Sequence, residues 1–296
     1  MARVLVHLPL NISRAIEEML KDFGRGMKQK YGIGLEIANL HKCLAAGGQG
    51  RNWDLESLPD LLIGNANYIL RLAGNNLAEH VRPLAGRFSL RPELVRAGFA
   101  DSQGYFHPFT IVPFAIFYNP QVVKEEELPR VWADLLDIAW RGRILMPAEH
   151  HMAPKMIKAL MQAYYPEKAA ALEQNMVFAG APINVVNAVD EGHYPLGITN
   201  VTFARVSRNK NISMLWPEDG LFCMPLVMVW HKKADDRLLA IGDYLLSDRV
   251  QEYLALQTFV PVSGAVHTPT ALVENNFNLI WRGWDDFINI LRGAMG

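Results

Sequence analysis

Hydrophobic and polar positions along the chain follow two periods. Residues 3–8, RVLVHL, form a short β-rich run, and beyond Pro9 the apolar positions fall at Ile12, Ala15, Ile16, Met19, Leu20 and Phe23. That spacing is one face of an α-helix. The segment 33–40, IGLEIANL, alternates as a half-buried strand does, and 59–67, PDLLIGNAN, reads as a buried strand ending in a Gly-Asn corner. Further strands are predicted at 114–119, 143–147, 195–199, 212–216 and 225–231, and helices at 154–164, 167–176, 236–256 and 276–291. In the last helix Phe277, Ile280, Trp284, Phe287, Ile288 and Leu291 make an aromatic stripe, a pattern that belongs in a core.

Strands alternating with helices specify an α/β class with mainly parallel sheets. Right-handed crossovers then place loops at the C-terminal ends of strands, where open α/β sheets take their ligands. The chain has no internal repeat and no low-complexity linker. Two lobes without a linker would be joined by β-strands, and the cleft between them is a natural ligand site.

Composition narrows the picture. Half of the 296 residues are hydrophobic, which suffices for the cores of about two typical domains. With 29 basic against 30 acidic side chains and no basic run, no nucleic-acid partner is expected. No apolar run approaches the roughly 18 residues of a membrane span. The N-terminus continues directly into the amphipathic pattern and does not read as a secretion signal. The expectation is either a cytoplasmic protein or a processed chain. Cys43 and Cys223 are expected to be buried free thiols.

Catalytic signatures are scarce. The chain has no G-x-S-x-G, Walker loop, G-x-G-x-x-G or H-E-x-x-H, and the glycines of 45–50, AAGGQG, lack the Lys-Ser/Thr that would follow a phosphate loop. No cofactor is expected. His150 and His151 follow the strand at 143–147 and precede a helix. Neighbouring helical side chains point about 100° apart, so the pair would not share one metal ion readily. His7, His107 and His193 lie at no spacing that would complete such a site. Pro154 suits the first helical position, and Ala153 before it has no side-chain oxygen to cap the helix. The first-turn N–H groups would then face water or an anion. Pro108, Pro113 and Pro120 bracket an aromatic run at 105–123, as in an edge or crossover strand.

The segment 112–150 resembles the one that opens the second lobe of bacterial ABC-transporter solute-binding proteins of the ferric-iron-binding type. The resemblance rests on Tyr118-Asn119, on Leu128-Pro129 followed by Trp132 to Leu136, and on Trp140-Arg141-Gly142-Arg143-Ile144. The segments 188–200, 216–220 and 244–262 fit as well, and the N-terminal third fits loosely. The resemblance implies a type II periplasmic-binding-protein fold, with two α/β lobes joined by crossover strands around a central cleft. Lobe one would be 1–111 plus 223–270, and lobe two 112–222, with the C-terminal helix at 271–296 packing across. The chain would be a non-catalytic, monomeric component of an ABC-type uptake system, periplasmic or extracellular. It would close by hinge bending around a small, anionic ligand and present the loaded form to a permease.

Iron-binding members carry two adjacent tyrosines after the strand matching LGITN; here Thr202 and Phe203 occupy that place. A phenyl ring donates nothing to ferric iron. The expected binding set from lobe one is His7, Asn11, Gly64 and Asn65. From lobe two it is His150, His151, Met152, Asn200, Thr202 and Phe203, with no metal. Asn and Thr would hydrogen-bond, the amides of 151–153 would hold an acidic group, and Met152 and Phe203 would pack apolar parts. Protonated imidazole would add attraction for an anion. Two alternatives stand beside this reading: a metal-binding protein or metal-dependent enzyme using His150 and His151, and a cytoplasmic ligand sensor of the same fold.

Overall fold

The computed structural model describes residues 1–40, 58–67, 69–70, 76–204, 207–275 and 278–293, so Cys43, the glycines of 45–50 and Phe277 lie outside the described residues. From the N-terminus come β1 (Ala2–His7), α1 (Leu10–Tyr31), β2 (Leu35–Asn39), β3 (Leu61–Asn65), α2 (Leu77–His80), α3 (Pro92–Arg96) and β4 (His107–Tyr118). Then follow β5 (Ile144–Met146), α4 (Met152–Tyr164), α5 (Ala170–Asn175), β6 (Met176–Phe178), α6 (Pro182–Asp190), β7 (Leu196–Asn200) and α7 (Val201–Ala204). The rest is β8 (Ser213–Leu215), β9 (Leu221–Trp230), α8 (Leu239–Leu245), α9 (Asp248–Leu256), β10 (Val260–Pro261), α10 (Thr270–Glu274), β11 (Leu279–Ile280) and α11 (Trp284–Gly293).

The chain divides into two compact units: Met1–Ile111 with Pro225–Thr268, and Val112–Met224 with Pro269–Gly296. Of the three changes of unit, two fall inside strands, at Ile111–Val112 in β4 and Met224–Pro225 in β9, and the third, at Thr268–Pro269, falls between elements.

In the first unit β1 lies between β2 and β3, all parallel, and β9 runs antiparallel to β3 from Leu61↔Trp230 to Asn65↔Leu226. Helix α1 covers this sheet with Ile12, Ile16, Leu20 and Met27, all buried, on the stripe the periodicity predicts. It stops at Gly32, whose φ of +70° sends Gly32 N–H back to the Lys28 carbonyl. Imidazole His107, at the start of β4, is buried between Phe88 and Trp230, with ring centroids 5.3 and 5.7 Å away. Burial holds its pKa below the ordinary histidine value, against a hydrogen bond to Gly104 O.

In the second unit β7 pairs antiparallel with β4 and parallel with β5, and β6 extends the sheet beyond β5. The motif residues that carry the resemblance are mostly structural. Buried Trp132 donates its indole N–H to Gly220 O at 2.8 Å and packs on Phe222, 4.4 Å between centroids. Asn119 donates to Val189 O at 2.8 Å, tying the end of β4 to α6. Gly142, at φ +68°, makes the turn into β5.

Several elements differ from the sequence-based expectation. The helix expected over 236–256 is a 3-10 turn at Asp236–Leu238 and then two helices, α8 and α9. The break is Ser247, whose ψ of 154° is extended and whose hydroxyl binds Tyr244 O at 2.6 Å. The helix expected over 276–291 begins only at Trp284, because Leu279–Ile280 is β11 and Gly283 turns the chain at φ +98°. The aromatic stripe still packs: Trp284, Phe287 and Leu291 are buried. Helix α6 and strand β6 have no counterpart in the periodicity, and the helix expected over 167–176 overlaps β6 only at Met176. Cys223 is a buried free thiol, and burial pushes its pKa up. Among the described residues no helix is long and apolar enough to cross a membrane.

Candidate functional site

In the first unit the parallel register brings strand ends to one edge of the sheet. His7 stands opposite Gly64, and Val6 opposite Asn39. The chain leaves β1 through buried Leu8 and enters α1 at Pro9, which has no side chain to cap the helix; its carbonyl takes Ile12 N and Ser13 N. Asn11 therefore sits in the first turn of α1, at the edge where β1 ends. Both side-chain polar atoms of Asn11, Oδ1 and Nδ2, are buried without a hydrogen-bond partner. Asn65, 3% exposed, ends β3 by accepting Asn67 N at 3.0 Å on its Oδ1.

Gly64 has φ +138°, and a Cβ there would lie 2.0 Å from His7 O. Only glycine allows the two backbones this approach. Near this edge lies a polar group that the hydrophobic pattern does not announce. Ser13 Oγ donates to the buried Glu17 carboxylate at 3.0 Å, and Asn39 Nδ2 donates to both. The i, i+4 spacing of Ser13 and Glu17 on the apolar face of α1 was the available signal.

In the second unit β5 and β7 are parallel, with Ile144↔Leu196 and Leu145↔Gly197. The corner after β5 and the corner after β7 therefore open at the same edge. Helix α4 begins at Met152, with His151 as N-cap, not at Pro154 as the proline rule suggested. Pro154 falls within the first turn, where a missing N–H costs nothing because those groups have no partner inside the helix. The N-cap side chain makes no capping hydrogen bond. His150 and His151 stack with centroids 4.2 Å apart and planes tilted by 35°; His150 is exposed and His151 half-buried.

Asn200 ends β7 opposite Phe114 of β4 and is 9% exposed, and its Oδ1 has no hydrogen-bond partner. Thr199, wholly buried, has an unpartnered hydroxyl. Thr202 is buried at the start of α7, and Phe203 packs against the cluster of Phe117, Leu145, Val185, Val186 and Val189. The sequence-derived set thus divides by unit, with four residues at the first edge and six at the second.

Neither edge carries Lys or Arg at 7–11, 64–67, 147–154 or 199–203. Nearby Glu149 is bound by Lys158 at 2.5 Å, which keeps its pKa below the ordinary glutamate value, and Lys158 also reaches Glu173 at 3.2 Å. Among the described residues no group of three or more His, Cys, Asp and Glu could hold a metal ion. The chemistry on offer is neutral amides, hydroxyls, imidazole and the N-termini of α1 and α4.

A family model described as bacterial extracellular solute-binding protein matches residues 56–289. No curated protein sequence matches the chain. Among solved structures, apo ferric ion-binding protein A of Pasteurella haemolytica is 17% identical with a TM-score of 0.75, covering 100% of this chain and 96% of its own. The ferric binding protein of Campylobacter jejuni is 15% identical at a TM-score of 0.73, covering 100% and 97%. A Trichodesmium protein, IdiA or FutA, in complex with iron and citrate ligands, is 16% identical at 0.67, covering 99% and 96%. These likenesses establish the two-lobed fold of type II periplasmic binding proteins.

Proposed function

We propose, since the chain belongs to the bacterial extracellular solute-binding proteins, that its solute is a small organic anion held by neutral side chains and helix N-termini. The family consists of non-enzymatic extracellular or periplasmic proteins serving ABC-type transport. The finer reading rests on one observation above all: Asn200, nine-tenths buried, leaves an amide atom unpartnered at the edge where α4 begins. Side-chain oxygen and nitrogen are interchangeable by a half-turn of the amide, so Asn200 can donate to a carboxylate oxygen. The α4 N-terminus, with His151 at its cap, supports an acidic group there. His7, Asn11, Gly64 and Asn65 would take the rest of the molecule, Met152 and Phe203 its apolar parts, and Thr202 a further hydrogen bond. Capture by hinge bending, as a monomer that then docks on a permease, belongs to the same proposal.

A ferric chelate of a carboxylate is the second reading. It is favoured by the Trichodesmium neighbour, named with iron and citrate. A bare ferric ion has weaker support, because Thr202 and Phe203 offer no phenolate.

Calorimetric titration with organic acids, inorganic phosphate, ferric ion and ferric citrate tests the proposal. One organic acid, free or as its chelate, is expected to bind at micromolar concentration or below, and Asn200→Ala to weaken it about tenfold or more. Tight binding of ferric ion without a carboxylate, or an Asn200→Ala variant with unchanged affinity, contradicts it.

A further inference from the structure

We infer that the solute presents a hydrogen-bond donor and an acceptor side by side to Asn11, which makes it a hydroxylated or aminated acid and not a bare oxyanion. The inference rests on the organic-anion reading above and adds the class of acid.

Its basis is the Asn11 amide. Most buried polar side-chain atoms in proteins have a partner, and Asn11 has two that do not. Turning the amide does not resolve this. In either orientation one acceptor and two N–H groups of the same side chain are shut off from water without a protein partner. A deprotonated oxyanion such as sulfate or a simple carboxylate offers acceptors only, so it satisfies the N–H side and leaves the oxygen unpaired. A metal ion offers no acceptor and leaves the N–H side unpaired. A group carrying an O–H or N–H next to an oxygen satisfies both.

The surroundings of Asn11 fit a ligand role. It lies in the first turn of the 22-residue helix α1, entered through a proline that provides no cap. It is at the end of β1, the edge at which His7 stands opposite Gly64. Its neighbour Leu10 is 65% exposed, so this edge also shows an apolar side chain to solvent. A charged ammonium or guanidinium from the protein is absent from 7–11 and 64–67, so no side chain there competes for the Asn11 oxygen.

Matched acids test the inference: propionate against L-lactate and L-alanine, and succinate against L-malate, with sulfate as the donor-free control. Within a pair the hydroxylated or aminated acid is expected to bind at least about tenfold tighter. Asn11→Leu, which removes the amide at similar volume, is expected to erase that gap and to raise the unfolding midpoint of the ligand-free protein. Asn11→Ser, with one hydroxyl that both donates and accepts, is expected to keep part of the gap and gives the readout if the leucine variant does not fold. Equal affinities within each pair, or sulfate as the tightest binder, overturn the inference and leave the solute-binding reading in place. Binding by none of these and by none of the acids in the wider titration overturns both.

Discussion

Gly64→Ala is expected to destabilise the first unit by about 3–5 kcal/mol, lowering its unfolding midpoint by roughly 10 °C, and to abolish ligand binding. The φ of +138° lies where a side chain is strained in any surroundings, and here the added Cβ would also stand 2.0 Å from His7 O and 2.6 Å from His7 C. Those atoms are backbone, so relief requires β1 and β3 to move apart at the register pair His7↔Gly64. The shift would displace the two strand ends that place Asn11 and Asn65. Gly26, mid-helix in α1 with nothing within 4 Å of the Cβ that alanine would add, is the internal control. There the same change is expected to stabilise by about 0.5–1 kcal/mol, because alanine loses less backbone entropy. Thermal unfolding of the two variants separates the effects. A Gly64→Ala protein as stable as Gly26→Ala would mean that the close approach at His7 is not a constraint.

Gln251→Leu is expected to cost roughly 4 kcal/mol, read as the shift of the urea midpoint. Gln251 is wholly buried in α9, and its amide joins three segments. Its Nε2 donates to Phe109 O and Leu245 O at 2.8 Å each, and its Oε1 accepts Val262 N at 2.8 Å and Ser263 N at 3.3 Å. Leucine fills much of the same volume but leaves those backbone groups buried and unpaired. Phe109 precedes the point at Ile111–Val112 where β4 passes from one unit to the other, so the glutamine anchors the base of that strand. A loss below about 1 kcal/mol would show that water replaces the glutamine at little cost.

The two rhythms of the chain make most of the fold legible. β1, α1, β3 and β5 fall where period and proline predict them, because each buries one stripe or one continuous run. The pattern fails where a polar detail, not a hydrophobic one, decides the structure. Ser247 splits one predicted helix by folding its hydroxyl back on Tyr244, and Gly283 delays another. Strand β6, at three residues, is too short for any period to register.

The candidate site is legible to a lesser degree. The strand-end rule singles out His7, Asn11, Asn65 and Asn200 as candidates without knowledge of their partners. It does not reveal that Glu17 and Ser13, set on the buried stripe of α1, join Asn39. Nor does it show that Asn11 is unpartnered, since that depends on which atoms the folded chain brings near it. Phe203 illustrates the converse. The sequence places it at a strand-end loop, whereas it lies in α7 and part of its ring packs against Phe117 and the valines of α6.

Native mass spectrometry of the protein isolated from a bacterial source, with elemental analysis of the same sample, tests the solute-binding account most directly. The account predicts a single noncovalent adduct of one organic acid per chain, with any iron present only together with that acid, and loss of the adduct in Asn200→Ala. Stoichiometric iron without an organic partner, retained in that variant, would contradict it.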